Sequence, residues 1–278
     1  MSAPLTFTLT DFWGEDWTLG VWTPGRRQVG IRLRSITGLA GAPHSFDEVQ
    51  GASTDGVIVR GRKDEANTLA MVCLVDYPGG GYNARDYLMT WRRALGRGLA
   101  RDPNSPPLRL TVEDSGRWQD VRLLTAADPD LKGITSSAGR AIDELTFRSD
   151  LSWWRADPYT ASFTAAQFAS ATVDNDGDVD TWPSYRLTGP ITNPKLGLLG
   201  ELISLPTLSA GQWLDIDTDP DYWSVVDQSG NDRSWIGQRW MTKAPANTPS
   251  IAVSITGTGT SGATKLDVTV PQYYWAAI

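Results

Sequence analysis

The residues that most often carry catalysis or bind metals are scarce in this chain. His44 is the single histidine and Cys73 the single cysteine among the 278 residues. A Ser-His-Asp relay or a histidine metal site would have to be built around His44 alone, which lies in the turn-like segment Gly41–Ser45. Cys73 lies in an apolar, strand-length segment, where a buried thiol behaves as a small hydrophobic side chain. We therefore expect a protein that is not an enzyme and that has no cofactor and no metal.

Two acidic segments could still carry chemistry. Asp174–Asp180 is rich in side-chain oxygens, but no start position satisfies the glycine and glutamate positions of an EF-hand calcium loop, so a turn is predicted. In the second segment, Asp215 and Asp217 share one face if the strand runs that far, and paired carboxylates can hydrolyse glycosidic bonds. The following Asp219-Pro220-Asp221 is typical of a turn between strands. A hydrolase that uses residues 215–221 is therefore the least favoured of three function classes.

An arginine-bearing helix is predicted at about residues 84–100. Asn83 is a candidate N-cap, and an apolar stripe recurs at three- and four-residue spacing. Arginines at positions 85, 92, 93 and 97 are expected on the opposite side, where they could meet nucleic-acid phosphates or form ion pairs across a subunit interface. The neutral charge of the first half favours protein contact, so Arg92, Arg93 and Arg97 are candidate oligomer-interface residues. The stripe consists of Ala84, Tyr87, Leu88, Trp91, Leu95 and Leu99.

Tryptophan is unusually frequent, with 13 residues. In the second half, exposed tryptophans could stack on sugar rings, whereas core or interface packing is the other interpretation. Trp213, Trp223 and Trp235 are retained as candidate glycan-stacking residues; Trp182 and Trp240 belong to the same set.

Charge and length predict two domains. Residues 1–155 hold 19 Lys/Arg and 19 Asp/Glu, whereas residues 156–278 hold 6 and 13, which accounts for the whole net charge of −7. This asymmetry places a boundary near residue 155 and argues against nucleic-acid binding by the second half. No apolar run approaches the roughly 18–20 residues of a membrane helix, and because Met1–Leu5 lacks a charged region followed by an apolar core, no cleaved signal peptide is expected. The single cysteine is consistent with folding in a reducing cytoplasm.

The periodicity predicts a mainly β chain. In residues 1–155, segments such as Leu5–Thr10 and Gly30–Ile36 alternate polar and apolar residues, and 57–60 with 68–75 is expected to form a projecting hairpin. In residues 156–278, short strands recur every 8–12 residues between Gly, Pro and Asp turns, which is typical of a β-sandwich. The predicted fold is thus an N-terminal β-barrel or sandwich with one α-helix, followed by a second β-sandwich.

Several short passages together resemble a known family. A strand ending at Phe147 leads through two tryptophans into Asp157-Pro158-Tyr159, followed by the turn Asn175-Asp176-Gly177. A Pro-led strand from Pro183, the segment Gly189–Pro194 and the strand Trp213–Ile216 after Gly211 complete the pattern. This order resembles the distal tail proteins of long, non-contractile-tailed bacteriophages.

The resemblance implies a structural role in the virion. Residues 1–155 would form a ring, typically a hexamer, and residues 156–278 a galectin-like β-sandwich that faces outward. The ring would connect the tail tube protein to the tail-tip or baseplate proteins, and the hairpin at 57–75 would clasp the neighbouring subunit. The protein would be made in the host cytoplasm and would act at the distal end of the phage tail, with no nucleic-acid specificity and no membrane insertion. With His44 as the single histidine, the sugar-binding His-Asn-Arg pattern of true galectins is absent from the second domain.

The main alternative is a binding module. In that case the tryptophan-bearing sandwich would be a carbohydrate-binding adhesin that contacts a glycan on the host surface.

Overall fold

The computed structural model describes residues 5–21, 29–50, 55–96, 105–129 and 131–278. The chain is mainly β, as predicted, and divides into two compact units. The first comprises Met1–Arg155 together with Trp275–Ile278, and the second comprises Ala156–Tyr274. The four C-terminal residues thus belong to the first unit, whereas the sequence analysis placed them with the second. No helix in the described ranges has the length and apolarity needed to cross a membrane.

The first unit is built around a seven-stranded barrel. Its strands follow the order β8-β7-β1-β2-β3-β6-β9, and pairing of β8 with β9 closes the barrel. The β2–β3 pair is parallel, and the six other neighbouring pairs are antiparallel. The elements of this unit, in chain order, are β1 (Phe7–Thr10), β2 (Asp16–Val21), β3 (Gly30–Thr37), β4 (His44–Val49), β5 (Ile58–Asp64), β6 (Thr68–Asp76), α1 (Gly81–Ala94), β7 (Leu108–Val112), β8 (Arg117–Ala126), α2 (Leu131–Thr135) and β9 (Arg140–Ser149).

The barrel follows from alternating side chains. In β1, Phe7 and Leu9 are buried while their neighbours are partly exposed, and β7 and β9 show the same period of two. Helix α1 packs on this core through Trp91, whose ring lies 5.3 Å from that of Trp17 and whose Nε1 donates to Asp143 in β9 at 3.0 Å. The predicted apolar stripe therefore exists and positions the helix.

The boundaries of α1 differ from the prediction. The helix begins at Gly81 with Gly80 as N-cap, and no side-chain cap is present, so Asn83 lies inside the first turn. Gly80 has a φ of 60° and a ψ of −147°, a conformation that glycine adopts without a steric penalty. The helix ends at Ala94, because Leu95 is the C-cap and Gly96 follows at a φ of 73°. Residues 97–100 of the predicted helix lie outside the described residues.

Gly80→Ala is expected to destabilise the first unit by about 2 kcal/mol or more. A Cβ at position 80 would collide with the main-chain carbonyl of Ser136, in addition to the cost of the positive φ. Gly79→Ala is the matched control, because Gly79 has a φ of 96° but open space around its Cβ position. In urea unfolding, Gly80→Ala should have a clearly lower free energy of unfolding than Gly79→Ala. Equal losses would show that backbone strain alone, without the collision, sets the cost.

The predicted hairpin at 57–75 is wrong, because β5 pairs with β4 and not with β6. The register joins His44 to Asp64 and Val49 to Ile58, whereas β6 lies between β3 and β9 in the barrel wall. Strands β4 and β5 form a separate two-stranded sheet, which we call the β4–β5 ribbon.

The second unit is a two-sheet β-structure. Its elements are β10 (Trp154–Thr164), β11 (Thr172–Asn175), β12 (Ser184–Thr188), β13 (Thr192–Leu198), β14 (Ile203–Ser204), β15 (Trp213–Asp217), β16 (Ser224–Asp227), β17 (Thr248–Thr258), β18 (Lys265–Tyr274) and 3-10 turns at Ala165–Ser170 and Ser234–Ile236. The first two residues of β10 belong to the first unit. One sheet has the order β16-β15-β12-β18-β10 and the other β11-β17-β13-β14. Leu187 and Leu214 from the first sheet and Leu196 and Val253 from the second belong to one buried core cluster, which confirms the predicted β-sandwich.

Candidate interaction surfaces

The β4–β5 ribbon is exposed on both faces. Every residue of β4 and β5 is exposed except the half-buried Val49 and Asp64. Phe46, Ile58 and Val59 expose 51%, 68% and 54% of their surface, although these side chains are apolar. His44, at the start of the ribbon, lies with its ring 5.1 Å from that of Phe46. Exposed apolar side chains on a two-stranded sheet make this ribbon a candidate interaction surface.

The base of the ribbon is held firmly. The Glu65 N–H donates to the carbonyl of Pro43 at 2.8 Å, and the Ser152 hydroxyl donates to the carbonyl of Asp64 at 3.1 Å. The Arg62 guanidinium lies 4.4 Å from the ring centre of Trp275, a residue of the C-terminal segment that returns to this unit. These contacts connect the base of the ribbon to the rest of the first unit.

The three predicted interface arginines are in different environments. Arg93 is exposed in the last turn of α1, and Arg97 lies outside the described residues. Arg92 is 6% exposed, and its Nε donates to Asp143 Oδ2 at 2.9 Å while its Nη2 donates to the carbonyl of Ala127 at 2.8 Å. The expectation that Arg92 lies opposite the apolar stripe is wrong, because Asp143 neutralises its charge inside the first unit.

The candidate glycan-stacking tryptophans do not form one cluster. Trp213 lies on the outer face of β15, together with Asp215 and Asp217. Trp223 packs against the core of the second unit, and Trp235 is 73% exposed on a separate 3-10 turn. Trp240, from the wider set, is 2% exposed and donates its Nε1 to the carbonyl of Leu196 at 2.9 Å, so it is a core residue.

The carboxylates of the acidic segments accept backbone N–H groups. In the first, the Gly177 N–H donates to Asn175 Oδ1 at 3.0 Å within a bend, in line with the predicted turn, while Asp174 and Asp180 accept the N–H groups of the distant residues Ser250 and Ala246. In the second, Asp219 accepts the N–H of Asp221 at 3.0 Å, which confirms the predicted turn. Within the described ranges, no group of three His, Cys, Asp or Glu residues has the geometry to hold a metal ion.

Cys73 and Asp227 both have shifted pKa values. Burial, with Asp143 nearby, raises the pKa of the Cys73 thiol to about 12, so the thiol is a core group and not a nucleophile. Hydrogen bonds from the side-chain amide of Asn231, followed by the Asn231 N–H and the Arg233 side chain, lower the pKa of Asp227 to about 2.

Asn231→Ala is expected to raise the pKa of Asp227 toward the ordinary value of an aspartate. The lowered pKa means that the loop after β16 is stabilised above about pH 4, and this contribution is lost as the pH falls through about 2. Carboxyl-detected NMR titration measures the shift directly, and Ser234→Ala, which leaves Asn231 in place, is the control. An unchanged pKa in Asn231→Ala would show that the amide is not the main cause.

Comparison with known proteins identifies the architecture. No protein-family model and no curated protein sequence matches the chain. Among solved structures, the SPP1 Dit (gp 19.1) protein, described as a paradigm of the hub adsorption apparatus in phages that infect Gram-positive bacteria, has a TM-score of 0.66 at 15% identity and covers 96% of this chain and 98% of its own. The fold of this chain is similar to that of SPP1 Dit. A chain of the phage P2 baseplate in its activated conformation with Ca has a TM-score of 0.49 at 10% identity, with coverage of 97% and 98%.

The similarity to SPP1 Dit extends over nearly the whole chain, so both units take part in it. The predicted resemblance to phage distal tail and hub proteins is thus confirmed at the level of the fold. Sequence reasoning missed the β4–β5 ribbon, because the apolar residues of 44–49, Phe46 and Val49, lie three positions apart and give no period of two.

Proposed function

We propose that this protein is a structural component of a phage tail, a distal tail protein that forms a ring between the tail tube and the tail-tip or baseplate proteins. The SPP1 Dit fold over nearly the full chain is the observation that carries this proposal. The protein is made in the host cytoplasm and acts in the assembled virion. Its mechanism is the burial of complementary protein surfaces, and its function does not include catalysis.

The ring is proposed to contain six copies and to form through the first unit. The β4–β5 ribbon supports this, because a two-stranded sheet with Phe46, Ile58 and Val59 exposed is marginally stable in water and gains from being covered. When identical subunits contact each other through two different surfaces, they form a closed ring if the rotation from one subunit to the next adds up to a full turn. The ribbon replaces residues 57–75 as the proposed clasp. Arg93 and Arg97 remain proposed interface residues.

The second unit is proposed to be a galectin-like sandwich that faces outward. It holds 6 Lys/Arg and 13 Asp/Glu, and this net negative charge disfavours the binding of nucleic acid. Contact with a host glycan is the second candidate function, and it is favoured by the exposed indole of Trp235 and by Trp213 on the outer face of β15.

Labelling of virions tests the location. Antibodies raised against the full-length protein, detected by gold-labelled secondary antibodies in electron micrographs, are expected to mark the junction of the tail tube and the tip. A label on the capsid or along the whole tube, or virions that remain unlabelled after mild opening of the tip, would contradict the proposal.

A further inference from the structure

A row of exposed side chains follows the second 3-10 turn of the second unit. Burial alternates over residues 239–244 as it does in a strand, with Trp240 and Ala244 in the core. Arg239, Met241 and Lys243 are the exposed members, and we call them the Arg-Met-Lys stripe. Met241 is 79% exposed, although its side chain is apolar. The stripe thus places an apolar side chain between two cations.

The main chain beneath the stripe is fixed by hydrogen bonds. Trp240 Nε1 donates to the carbonyl of Leu196 at 2.9 Å. The Glu201 carboxylate accepts the N–H of Met241 at 2.8 Å and the next N–H along the chain at 3.2 Å. These bonds also bring the stripe beside Leu202, which is 41% exposed. The exposed apolar surface therefore extends from Met241 to the loop before β14.

Aromatic rings hold the two cations in place. The Arg239 guanidinium lies 4.6 Å from the ring centre of Trp223, and Lys243 Nζ lies 5.2 Å from that of Trp182. Both indoles are half-buried. A side chain that is already ordered in the free protein loses less conformational entropy when a partner binds. The stripe therefore presents its two charges in a preorganised arrangement.

The cations of the stripe have no carboxylate partner, although their unit is acidic. Residues 156–278 hold 6 Lys/Arg and 13 Asp/Glu. Three of the six cations form ion pairs with an aspartate, namely Arg186, Arg233 and Lys265. Among the described residues, Arg239 and Lys243 form no ion pair. Because both lie beside the exposed Met241, their carboxylate partners would come from outside this unit.

We propose that the Arg-Met-Lys stripe docks a partner protein that presents carboxylates on both sides of an apolar side chain. Methionine and arginine are enriched in protein interfaces, and the stripe combines them. In an extended segment, the step from Arg239 to Lys243 spans about 13 Å, which sets the separation of the partner's carboxylates. The net negative charge of residues 156–278 opposes binding to nucleic acid or to an anionic membrane surface. The inference rests on the proposed function, since it takes the partner to be another protein of the virion.

The first test is photo-crosslinking in virions. A photoreactive amino acid in place of Met241 is expected to join this protein to one other virion protein, which mass spectrometry identifies. The same amino acid in place of Lys265 is the control, because Lys265 is exposed but is paired with Asp267 on the other sheet of the unit. The control should not give this product.

The second test is calorimetry between the full-length protein and the purified partner that the crosslink identifies. Binding is expected to weaken as the salt concentration rises, because carboxylates meet exposed cations. Met241→Asp and Lys243→Glu should each weaken binding about tenfold or more, whereas Lys265→Glu should leave it unchanged. All three side chains are exposed, so the variants keep the core of the unit intact.

Several outcomes would overturn the inference. These are no product at position 241, equal products at positions 241 and 265, a product that contains only a second copy of this chain, a lipid or a glycan, or binding that neither salt nor Met241→Asp changes. If virion labelling finds the protein at the tail tip and these tests fail, this inference alone is overturned. Absence of the protein from the virion would overturn the tail assignment and this inference with it.

Discussion

Asp143→Ala is expected to lower the free energy of unfolding of the first unit by about 3–5 kcal/mol. The Asp143 side chain is fully buried and accepts hydrogen bonds from Trp91 Nε1 and from Nε and Nη2 of Arg92. Removing the carboxylate leaves the buried guanidinium without its counter-charge, in an interior where an unpaired charge is costly. Urea unfolding followed by tryptophan fluorescence measures the loss.

Two further variants distinguish the effect of burying an ion pair from the effect of having an ion pair at all. Asp150→Ala removes the partner of Arg122 in a pair whose side chains are 40% and 46% exposed, and it should cost less than about 1 kcal/mol. Arg92→Met combined with Asp143→Leu should recover much of the loss, since an apolar pair needs no counter-charge. Equal losses of unfolding free energy for Asp143→Ala and Asp150→Ala would contradict the view that the buried Arg92–Asp143 pair holds the first unit together.

Ile58→Asp is expected to abolish ring formation. Wild type should have a mass of about 182 kDa, six copies of the 30.3 kDa chain, whereas the variant should sediment as the single chain. Ile58 is 68% exposed, so the substitution removes an apolar contact surface without disturbing the core of its own chain. Analytical ultracentrifugation of the two proteins at equal concentration gives the masses.

The control for the ribbon is Met241→Asp, which places the same charge on a side chain of the second unit that is 79% exposed. It should retain the mass of the wild type. A ring that survives Ile58→Asp, or one that Met241→Asp disrupts equally, would show that the β4–β5 ribbon does not hold the subunits together.

The sequence predicted local structure better than pairing. The apolar runs at 57–60 and 68–75 correctly indicated strands, but β6 pairs with β9, where Thr68 lies opposite Arg148. A strand pattern states which face is buried and does not state which distant strand provides the partner. The predicted hairpin therefore joins two strands that do not pair with each other.

Arg92 shows a limit of amphipathic reasoning. Its position, four residues after Leu88, places it beside the apolar stripe, which is a signal that sequence reasoning could have used. Its partner Asp143 is 51 residues away, so the pairing itself was not readable. For Trp213, by contrast, the period of two that joined Asp215 and Asp217 would also have joined the indole to the same face.

The most direct test of the central claim is a cryo-electron microscopy reconstruction of the distal end of the virion's tail. We expect density for a ring of seven-stranded barrels between the tail tube and the tip, with each β4–β5 ribbon lying against the next subunit. A ring position filled by a different fold, with this protein located elsewhere in the particle or missing from it, would contradict the account.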